Sequence, residues 1–261
     1  MQTLRPVFKC HGGKFYLRKY VIGHFPKNYT QLKYVEGCGG AASVLLNKDR
    51  SAAEIYNDAD PSIAAVVQEL AADDPEEFIQ DVKNVEYNEE NFQKSKSAPA
   101  TDAVAELVRR RFSRGGLRQA FAWSERLRGG RPGDLNAWET FKCEIMRIAE
   151  RLRGVQVYCM PVSELVERFD AEDALFYIDP PYLPATRQAR KVYSVEMTEE
   201  EHVELAHRLN KAKGKVVLSG YQSPLYTKMY KEWDLTCRPI ANHAGQNKSK
   251  QKRIECIWRN F

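Results

Sequence analysis

Residues 175–184 read LFYIDPPYLP, an apolar run that ends in a short polar and aromatic segment. Four consecutive apolar residues at 175–178 predict a strand that is covered on both faces. Asp179 and Pro180 each precede a proline, so both are restricted to extended conformations, and neither proline has an N–H group. The segment therefore presents two acceptors, the Asp179 carboxylate and the Pro180 carbonyl, beside the flat ring of Tyr182. This arrangement suits a planar ligand with an exocyclic NH2, such as a nucleobase taken out of its stack.

Short apolar runs alternate with amphipathic helical stretches along the rest of the chain, which predicts an α/β fold of parallel strands joined by helical crossovers. Helix starts are predicted where Asp60 precedes Pro61 and where Thr198 and Glu201 have the spacing of a capping box. Two strand-like runs in residues 232–261, joined by a polar basic loop, predict a final hairpin. The earlier strands are predicted at residues 31–37, 54–58, 155–160, 174–179 and 214–221.

One region, residues 84–154, interrupts this alternation. Its first part has no long apolar face and is rich in glycine, serine and arginine. In residues 135–152 apolar side chains recur at spacings of three and four, which predicts a helix that ends at Gly154. We therefore predict a main domain formed by residues 1–83 and 155–261, with an inserted, mostly helical lobe at residues 84–154.

The composition fits one sizeable core, since 43% of the 261 residues are apolar. No apolar run approaches the length of about 18 residues that a membrane span needs, and the N-terminus lacks the apolar segment of a signal peptide. A cytoplasmic protein without a membrane partner is therefore expected, as a monomer or, alternatively, a dimer. The six cysteines have no C-x-x-C spacing, which predicts reduced thiols and neither a disulfide framework nor a metal site.

A glycine-rich turn at residues 37–40 follows the first predicted strand and precedes the apolar stretch AASVLL, for which a helix is predicted. Bare backbone in a strand–loop–helix unit lets a nucleotide-like ligand approach closely, although a tight turn explains the glycines equally well. The second predicted strand ends at Asp58, where a carboxylate can accept hydrogen bonds from a ribose. The other interpretation of Asp58 is a helix cap, but Asp60 already fills that position.

The net charge of +5 is unevenly distributed. Residues 109–131 contain eight arginines and one glutamate, and residues 238–259 contain six basic residues and one glutamate. This separation favours a face that binds a polyanion, with solvated loops as the alternative. His202 and His207 lie on a helix that is predicted to be exposed, and no catalytic role is assigned to them.

Four segments together resemble the Dam-type (D12 class, α-order) DNA adenine-N6 methyltransferases of phages and bacteria. They are DPPY at residues 179–182, EGCGGAASVLL at 36–46, YND at 56–58 and KCHGGK at 9–14. The resemblance implies a Rossmann-like S-adenosylmethionine methyltransferase sheet with a reversed last strand. It also implies that residues 84–154 form the target-recognition lobe and that double-stranded DNA is the partner. The reaction would methylate N6 of a flipped-out adenine, as in restriction–modification.

The resemblance also assigns roles to individual residues. Asp179 and the Pro180 carbonyl would accept hydrogen bonds from adenine N6, Pro181 would complete the catalytic motif, and Tyr182 would stack on the base. The residues that would bind the cofactor are Cys10, His11, Gly12, Lys14, Glu36, Gly37, Cys38, Gly39, Gly40, Asp58 and Asp179. The residues that would contact DNA are Arg109, Arg110, Arg111, Arg114, Arg118, Trp123, Arg187, Lys248, Lys250, Lys252 and Arg253.

Two departures from the family pattern keep other functions open. Gly37 and Cys38 stand where the family has Pro-Phe, and Pro161 stands where it has an aspartate near the cofactor adenine. These changes motivate the alternative of a DNA-binding protein that has lost catalysis. A methyltransferase acting on cytosine N4 or on RNA is a further alternative, because such amines would meet the same acceptors.

Overall fold

The computed structural model describes residues 3–10, 12–183, 186, 194–240 and 253–261. The strands are β1 (Lys33–Glu36), β2 (Ala53–Asn57), β3 (Leu127–Arg128), β4 (Arg131–Pro132), β5 (Gln156–Tyr158), β6 (Ala174–Ile178), β7 (Lys215–Gly220), β8 (Asp234–Ile240) and β9 (Arg253–Arg259). The α-helices are α1 (Arg18–Ile22), α2 (Pro61–Ala71), α3 (Glu76–Asn84), α4 (Glu89–Ser97), α5 (Ala103–Arg111), α6 (Gly133–Leu152), α7 (Val162–Phe169), α8 (Glu199–Lys211) and α9 (Pro224–Met229).

In the part of the chain that the structure describes, seven strands form one sheet in the order β5-β2-β1-β6-β7-β9-β8, and β3 pairs with β4 in a separate hairpin. The strands β5, β2, β1, β6 and β7 run parallel to one another. β9 runs antiparallel to both β7 and β8. All five predicted strands and the final hairpin are therefore confirmed, as is the Rossmann-like methyltransferase sheet with a reversed last strand.

Both faces of the sheet are covered. Every residue of β6 is buried, as the uninterrupted apolar run predicts. Leu175 and Tyr177 point to a core that includes residues of α2, α5 and α6, whereas Phe176 and Ile178 point to a core that includes residues of α7 and α8. No helix among the described residues has the length and apolar character that spanning a membrane requires.

The predicted helix starts at Asp60 and Thr198 are confirmed. Oδ1 of Asp60 accepts a hydrogen bond from the N–H of Ser62 at 3.0 Å, so Asp60 caps α2. Thr198 and Glu201 form the reciprocal hydrogen bonds of a capping box at the start of α8. Asp58 is therefore not needed as a cap of α2.

The first part of the segment 84–154 was predicted to lack a long apolar face, but the structure shows buried side chains there. Leu107 and Phe112 at α5, and Trp138 on α6, are fully or almost fully buried in the same core as Val67 of α2. The helices of this segment and the sheet thus share one core. The boundaries of the predicted lobe stay a prediction.

Two local predictions are wrong. The stretch AASVLL forms a turn followed by a short 3-10 helix at Leu45–Asn47, and Ala42 adopts a φ of +54°, which an α-helix does not allow. His202 is buried on α8, where its Nδ1 lies 3.0 Å from the hydroxyl of Tyr226, because this side of α8 packs against α9.

The prediction of reduced cysteines is wrong for one pair. Cys237 and Cys256 are joined by a disulfide. They occupy directly opposite positions of the antiparallel strands β8 and β9. This pairing depends on strand register, which the spacing of cysteines along the sequence does not show.

Candidate active site

A cleft lies at the carboxyl ends of the parallel strands. β1 and β6 are neighbours near the middle of the sheet, and the strand order proceeds from them in opposite directions. Such a reversal leaves a crevice between the loops that follow the two strands. The cleft is lined by all the described residues that the resemblance assigned to the cofactor, which are Cys10, Gly12, Lys14, Glu36, Gly37, Cys38, Gly39, Gly40, Asp58 and Asp179. The structure brings these residues together, and their role in binding stays a prediction.

The loop after β1 depends on its glycines. The N–H of Gly39 donates to the carbonyl of Asn57 at 2.8 Å, which ties the loop to the end of β2. A Cβ atom at Gly39 would lie 2.0 Å from Cε2 of Tyr56, so a larger residue requires the loop or the ring to move. The Tyr56 hydroxyl donates to the carbonyl of Gly40 at 2.5 Å, and Gly40 has a φ of +50°. Tyr56 thus fixes the backbone of Gly39 and Gly40 at the wall of the cleft, where no side chain covers it.

Asp58 follows β2 and binds this loop. Its Oδ2 accepts a hydrogen bond of 2.8 Å from the N–H of Gly40, and its Oδ1 accepts one of 2.9 Å from the N–H of Asp60. Burial raises the pKa of Asp58 to about 6. Each carboxylate oxygen has two lone pairs, so each keeps one for a ligand hydroxyl. This set of acceptors fits the two adjacent hydroxyls of a ribose.

Asn57 is a site residue to which sequence reasoning gave no role. Its Nδ2 donates to the carbonyl of Gly37 at 2.8 Å and to that of Met160 at 3.0 Å. Its Oδ1 accepts from the N–H of Met160 at 3.0 Å. The amide therefore joins the loops after β1 and β5. The available signal is a polar residue at the end of an apolar strand, directly before Asp58.

Cys10 and Glu36 add neutral polar groups to the cleft wall. Burial raises the pKa of Cys10 to about 11, so its thiol stays protonated. Burial also raises the pKa of Glu36 to about 8, although the Tyr34 hydroxyl 2.5 Å away and Lys48 oppose this shift. At neutral pH the Glu36 carboxyl is therefore mostly protonated and able to donate a hydrogen bond.

Asp179 lies at the end of β6 with donors on both oxygens. The Ser219 hydroxyl donates to Oδ1 at 2.8 Å, and Nζ of Lys14 lies 2.7 Å from Oδ1 and 2.8 Å from Oδ2. Burial alone would lower the pKa of Lys14, but Asp179 and then Glu255 outweigh it and raise this pKa well above its usual value. The sequence did not point to Ser219, since a hydroxyl at the end of an apolar strand is common.

The other residues of the DPPY segment surround Asp179. Pro180 is buried, and Pro181 is half-buried and lines the cleft. Tyr182 is only 6% exposed, and its hydroxyl donates to Oε1 of Glu255 at 2.6 Å. Nζ of Lys14 lies 4.9 Å from the centre of the Tyr182 ring. Stacking of this ring on a base stays a prediction.

Three arginines predicted to contact DNA have structural roles instead. Arg109, Arg110 and Arg111 are all buried, so the prediction of phosphate contacts is corrected for them. Nε of Arg109 donates to Glu106 at 2.8 Å, and Nη2 of Arg110 donates to Asp60 at 3.1 Å. Arg111 donates to the carbonyls of residues 6 and 7, at 2.5 Å and 2.9 Å. Charge composition alone cannot distinguish such guanidinium groups from exposed ones.

Other predicted DNA contacts are accessible. Arg114 is exposed, and Trp123 is 51% exposed. Arg118 is half-buried at the cleft and donates to Oε1 of Glu106 at 3.1 Å and to the hydroxyl of Ser194. The following predicted residues lie outside the described residues: His11, Arg187, Lys248, Lys250 and Lys252. Arg253 begins β9, and only its backbone is described.

The sheet order and the position of the cleft are those of a Rossmann-like α/β fold. Residues 133–243 match the family model of the D12 class N6 adenine-specific DNA methyltransferases. This match confirms the resemblance and indicates an adenine-specific DNA methyltransferase that uses S-adenosylmethionine. It covers less than half of the chain, and it includes residues 179–182 but not the segments at 9–14, 36–46 and 56–58.

The chain is also similar to two solved structures of the rRNA methyltransferase aviRa from Streptomyces viridochromogenes. In one comparison the identity is 12% and the TM-score 0.38, with 92% of this chain and 81% of the other covered. In the second the identity is 11% and the TM-score 0.39, with coverages of 98% and 88%. No curated protein matches the chain.

Proposed function

We propose that this protein transfers a methyl group from S-adenosylmethionine to the exocyclic N6 of an adenine flipped out of double-stranded DNA. The observation that carries the proposal is the position of Asp179, at the carboxyl end of β6 and in the same cleft as the glycine loop and Asp58. An acceptor for an amine and a place for a nucleoside cofactor thus share one cleft. The family match supports adenine N6 over cytosine N4 or an RNA amine.

The cofactor would lie along the loop after β1. S-adenosylmethionine supplies an electrophilic methyl group on its sulfonium. Asp58 would accept hydrogen bonds from the ribose hydroxyls, and residues 37–40 would approach with bare backbone. Residues 10, 12 and 14 line the same cleft and would hold the methionine end. Pro161 also lines the cleft, where it offers an apolar ring to the cofactor adenine but no side-chain acceptor.

The residues of the chain would align the amine and favour its nucleophilic form. The lone pair of adenine N6 is delocalised into the ring, which makes the amine a poor nucleophile. Asp179 and the Pro180 carbonyl would accept hydrogen bonds from the two N–H groups of N6. These bonds would favour a pyramidal nitrogen whose lone pair points at the methyl carbon. As the N–C bond forms the C–S bond breaks, and one N6 proton leaves towards the Asp179 carboxylate.

The segment 84–154 would bind the DNA. Arg114 is exposed, and Trp123 and Leu127 are 51% and 61% exposed. Arg131 is exposed on the β3–β4 hairpin, whose turn is formed by two glycines with positive φ. Cations of this kind neutralise phosphates, and exposed apolar side chains can contact or separate bases. These residues replace the three buried arginines as the proposed DNA contacts.

The proposal is tested by expressing the chain in a host that lacks DNA methylation. We expect N6-methyladenine at one recurring sequence when the host DNA is read by single-molecule sequencing, and none with the Asp179→Ala variant. Finding N4-methylcytosine in the host DNA would show that cytosine, and not adenine, is the substrate base. If the DNA stays unmodified and calorimetry detects no S-adenosylmethionine binding with or without DNA, the proposal fails and the alternative of a DNA-binding protein without catalysis is favoured.

A further inference from the structure

We propose that Glu255 is a positioning residue of the candidate catalytic site. Its carboxylate holds the hydroxyl of Tyr182 and offers Lys14 a second partner, so that Asp179 can be released for the substrate amine. The inference rests on the proposed methyl transfer, which gives Asp179 and Tyr182 their roles. Glu255 lies in the closing hairpin, and the resemblance assigns it no role.

Glu255, Tyr182 and Lys14 form one buried unit. Oε1 of Glu255 accepts the Tyr182 hydroxyl at 2.6 Å and lies 3.4 Å from Nζ of Lys14. The side chains of Glu255 and Lys14 are 2% and 5% exposed. Since Nζ of Lys14 is 2.7 Å from Oδ1 of Asp179, one ammonium lies between two carboxylates and closer to Asp179.

The reversed strand β9 brings Glu255 to this place. Ile257 lies opposite Ser219 of β7, and the Ser219 hydroxyl binds Asp179. Residues two apart on a strand point to the same face, so Glu255 shares the face of Ile257 and Ser219. β7 lies between β6 and β9 in the sheet. A carboxylate on this face of β9 therefore points across the end of β7 towards the end of β6.

Lys14 restricts how an amine can bind to Asp179. Oδ1 of Asp179 already has two donors, Lys14 and Ser219, whereas Oδ2 has only Lys14 and keeps one lone pair. A substrate amine that uses Oδ1 requires one of these donors to withdraw, and withdrawal of Lys14 frees an acceptor position on both oxygens. A buried ammonium without a partner is strongly unfavourable. Glu255 reduces this cost, because its Oε1 lies 3.4 Å from Nζ and can take over as the charged partner of Lys14 when the lysine moves away from Asp179.

The same carboxylate fixes the orientation of Tyr182. The ring is attached to the DPPY backbone at one end and bound to Glu255 through its hydroxyl at the other. Tyr221 packs edge-on against it, with the ring centres 4.4 Å apart. Without the bond to Glu255, the hydroxyl would be a buried donor without its partner, and the ring would lose one of its two fixed ends.

Three substitutions separate the two contacts of Glu255. Glu255→Gln keeps the volume and an acceptor for the Tyr182 hydroxyl but removes the charge that faces Lys14. Glu255→Ala removes both contacts, and Tyr182→Phe removes only the hydroxyl bond. Glu232→Gln is the matched control, because Glu232 is exposed and its carboxylate contacts only the exposed Lys231 among the ion pairs of the described residues.

The first measurement is methyl transfer to DNA with the full chain. We expect kcat to fall about tenfold in Glu255→Gln and about a hundredfold in Glu255→Ala, with the KM for S-adenosylmethionine changed less than about twofold. Glu232→Gln should behave as wild type. The double variant Glu255→Ala/Tyr182→Phe should be no slower than Glu255→Ala, because both changes remove the same bond. A wild-type kcat in Glu255→Ala would overturn the proposal.

The second measurement does not depend on activity. The buried hydroxyl proton of Tyr182 should give a downfield resonance in the NMR spectrum of tyrosine-labelled protein, identified by its loss in Tyr182→Phe. It should persist in Glu255→Gln and be lost or strongly shifted in Glu255→Ala. An unchanged resonance in folded Glu255→Ala would contradict the role of Glu255. If the wild type methylates no DNA, the proposed function fails, while this comparison still decides whether Glu255 holds Tyr182.

Discussion

Lys14 and Asp179 form a partly buried ion pair although 165 residues separate them in the sequence, with Nζ of Lys14 2.7 Å from Oδ1 of Asp179. The pair joins the N-terminal segment to the end of β6. Because Asp179 and Glu255 raise the pKa of Lys14 well above its usual value, the ammonium stays charged over the working pH range. The candidate acceptor is therefore covered by an internal cation in this structure.

Replacing Asp179 by alanine should abolish methyl transfer. The change removes the acceptor proposed to align N6, and loss of one such preorganised polar group lowers kcat by about 100-fold to 1000-fold. Lys14 keeps Glu255 as a partner at 3.4 Å, so the fold should persist, which circular dichroism checks. Asp173→Ala, at an exposed aspartate, should retain full activity. Wild-type-like turnover in Asp179→Ala would remove Asp179 from the mechanism.

Cofactor binding should weaken as the pH is lowered through about 6. The carboxylate form of Asp58 is the one that accepts ribose hydroxyls, and burial raises its pKa to about 6, so protons compete with the cofactor below that pH. Asp58→Asn should lower the affinity about tenfold at pH 7.5 and flatten this pH dependence. Calorimetry with S-adenosylmethionine at several pH values measures both effects. Asp73→Asn, at an exposed position, should keep the wild-type profile, and a pH dependence unchanged in Asp58→Asn would argue against the ribose contact.

Gly39→Ala should destabilise the protein. The new Cβ would meet the Tyr56 ring at 2.0 Å, and overpacking of this kind costs about 2 kcal/mol. Thermal unfolding should show a lower Tm, and cofactor affinity should fall because the loop is displaced. Gly154→Asn is the control, since nothing lies within 4 Å of a Cβ there and asparagine tolerates the φ of +80°. Equal Tm values for the two variants would show that the ring moves aside freely.

Substitution by glutamine should lower the stability of the protein at Arg110 and weaken DNA binding at Arg114. Arg110→Gln breaks a buried ion-pair network with Asp60 and Glu106, which should cost roughly 3 kcal/mol of stability. Arg114→Gln should leave the Tm unchanged and weaken DNA binding. It should also reduce the salt dependence of that binding by about one phosphate contact. Denaturation and DNA titrations at several salt concentrations separate the two, and a lower Tm without a DNA effect in Arg114→Gln would contradict its assignment.

The elements of the sheet were predictable because they depend on local patterns. The apolar run before Asp179 and the cap at Asp60 are visible in short windows of sequence, and so is Asp58 at the end of β2. Ala42 is the exception, because nothing in its local sequence indicates a positive φ. The positions that line the cleft follow once the strands are known, since parallel strands end at the same edge.

The partners of the site residues were not predictable, because they depend on register and packing. Glu255 reaches Tyr182 only through the pairing of β9 with β7, and Cys256 reaches Cys237 only through its pairing with β8. Arg111 belongs to a basic run in the sequence, and counting charges does not show which guanidinium groups find buried acceptors. One cue was available: an acidic residue inside the apolar run of β9 needs a partner when it is buried.

One buried arginine, Arg110, connects the two proposed ligand sites. Arg110 on α5 donates to Asp60, and the N–H of Asp60 donates to Asp58, the proposed ribose acceptor. These hydrogen bonds join Asp58 to the helix that precedes Arg114, so the two proposed ligand sites share one chain of contacts. Thermodynamic linkage makes any such effect reciprocal: DNA must change the affinity for the cofactor by the factor by which the cofactor changes that for DNA. Arg110, which also lines the cleft, would then serve DNA binding from inside the protein, as the connection between the two ligand sites and not as a phosphate contact.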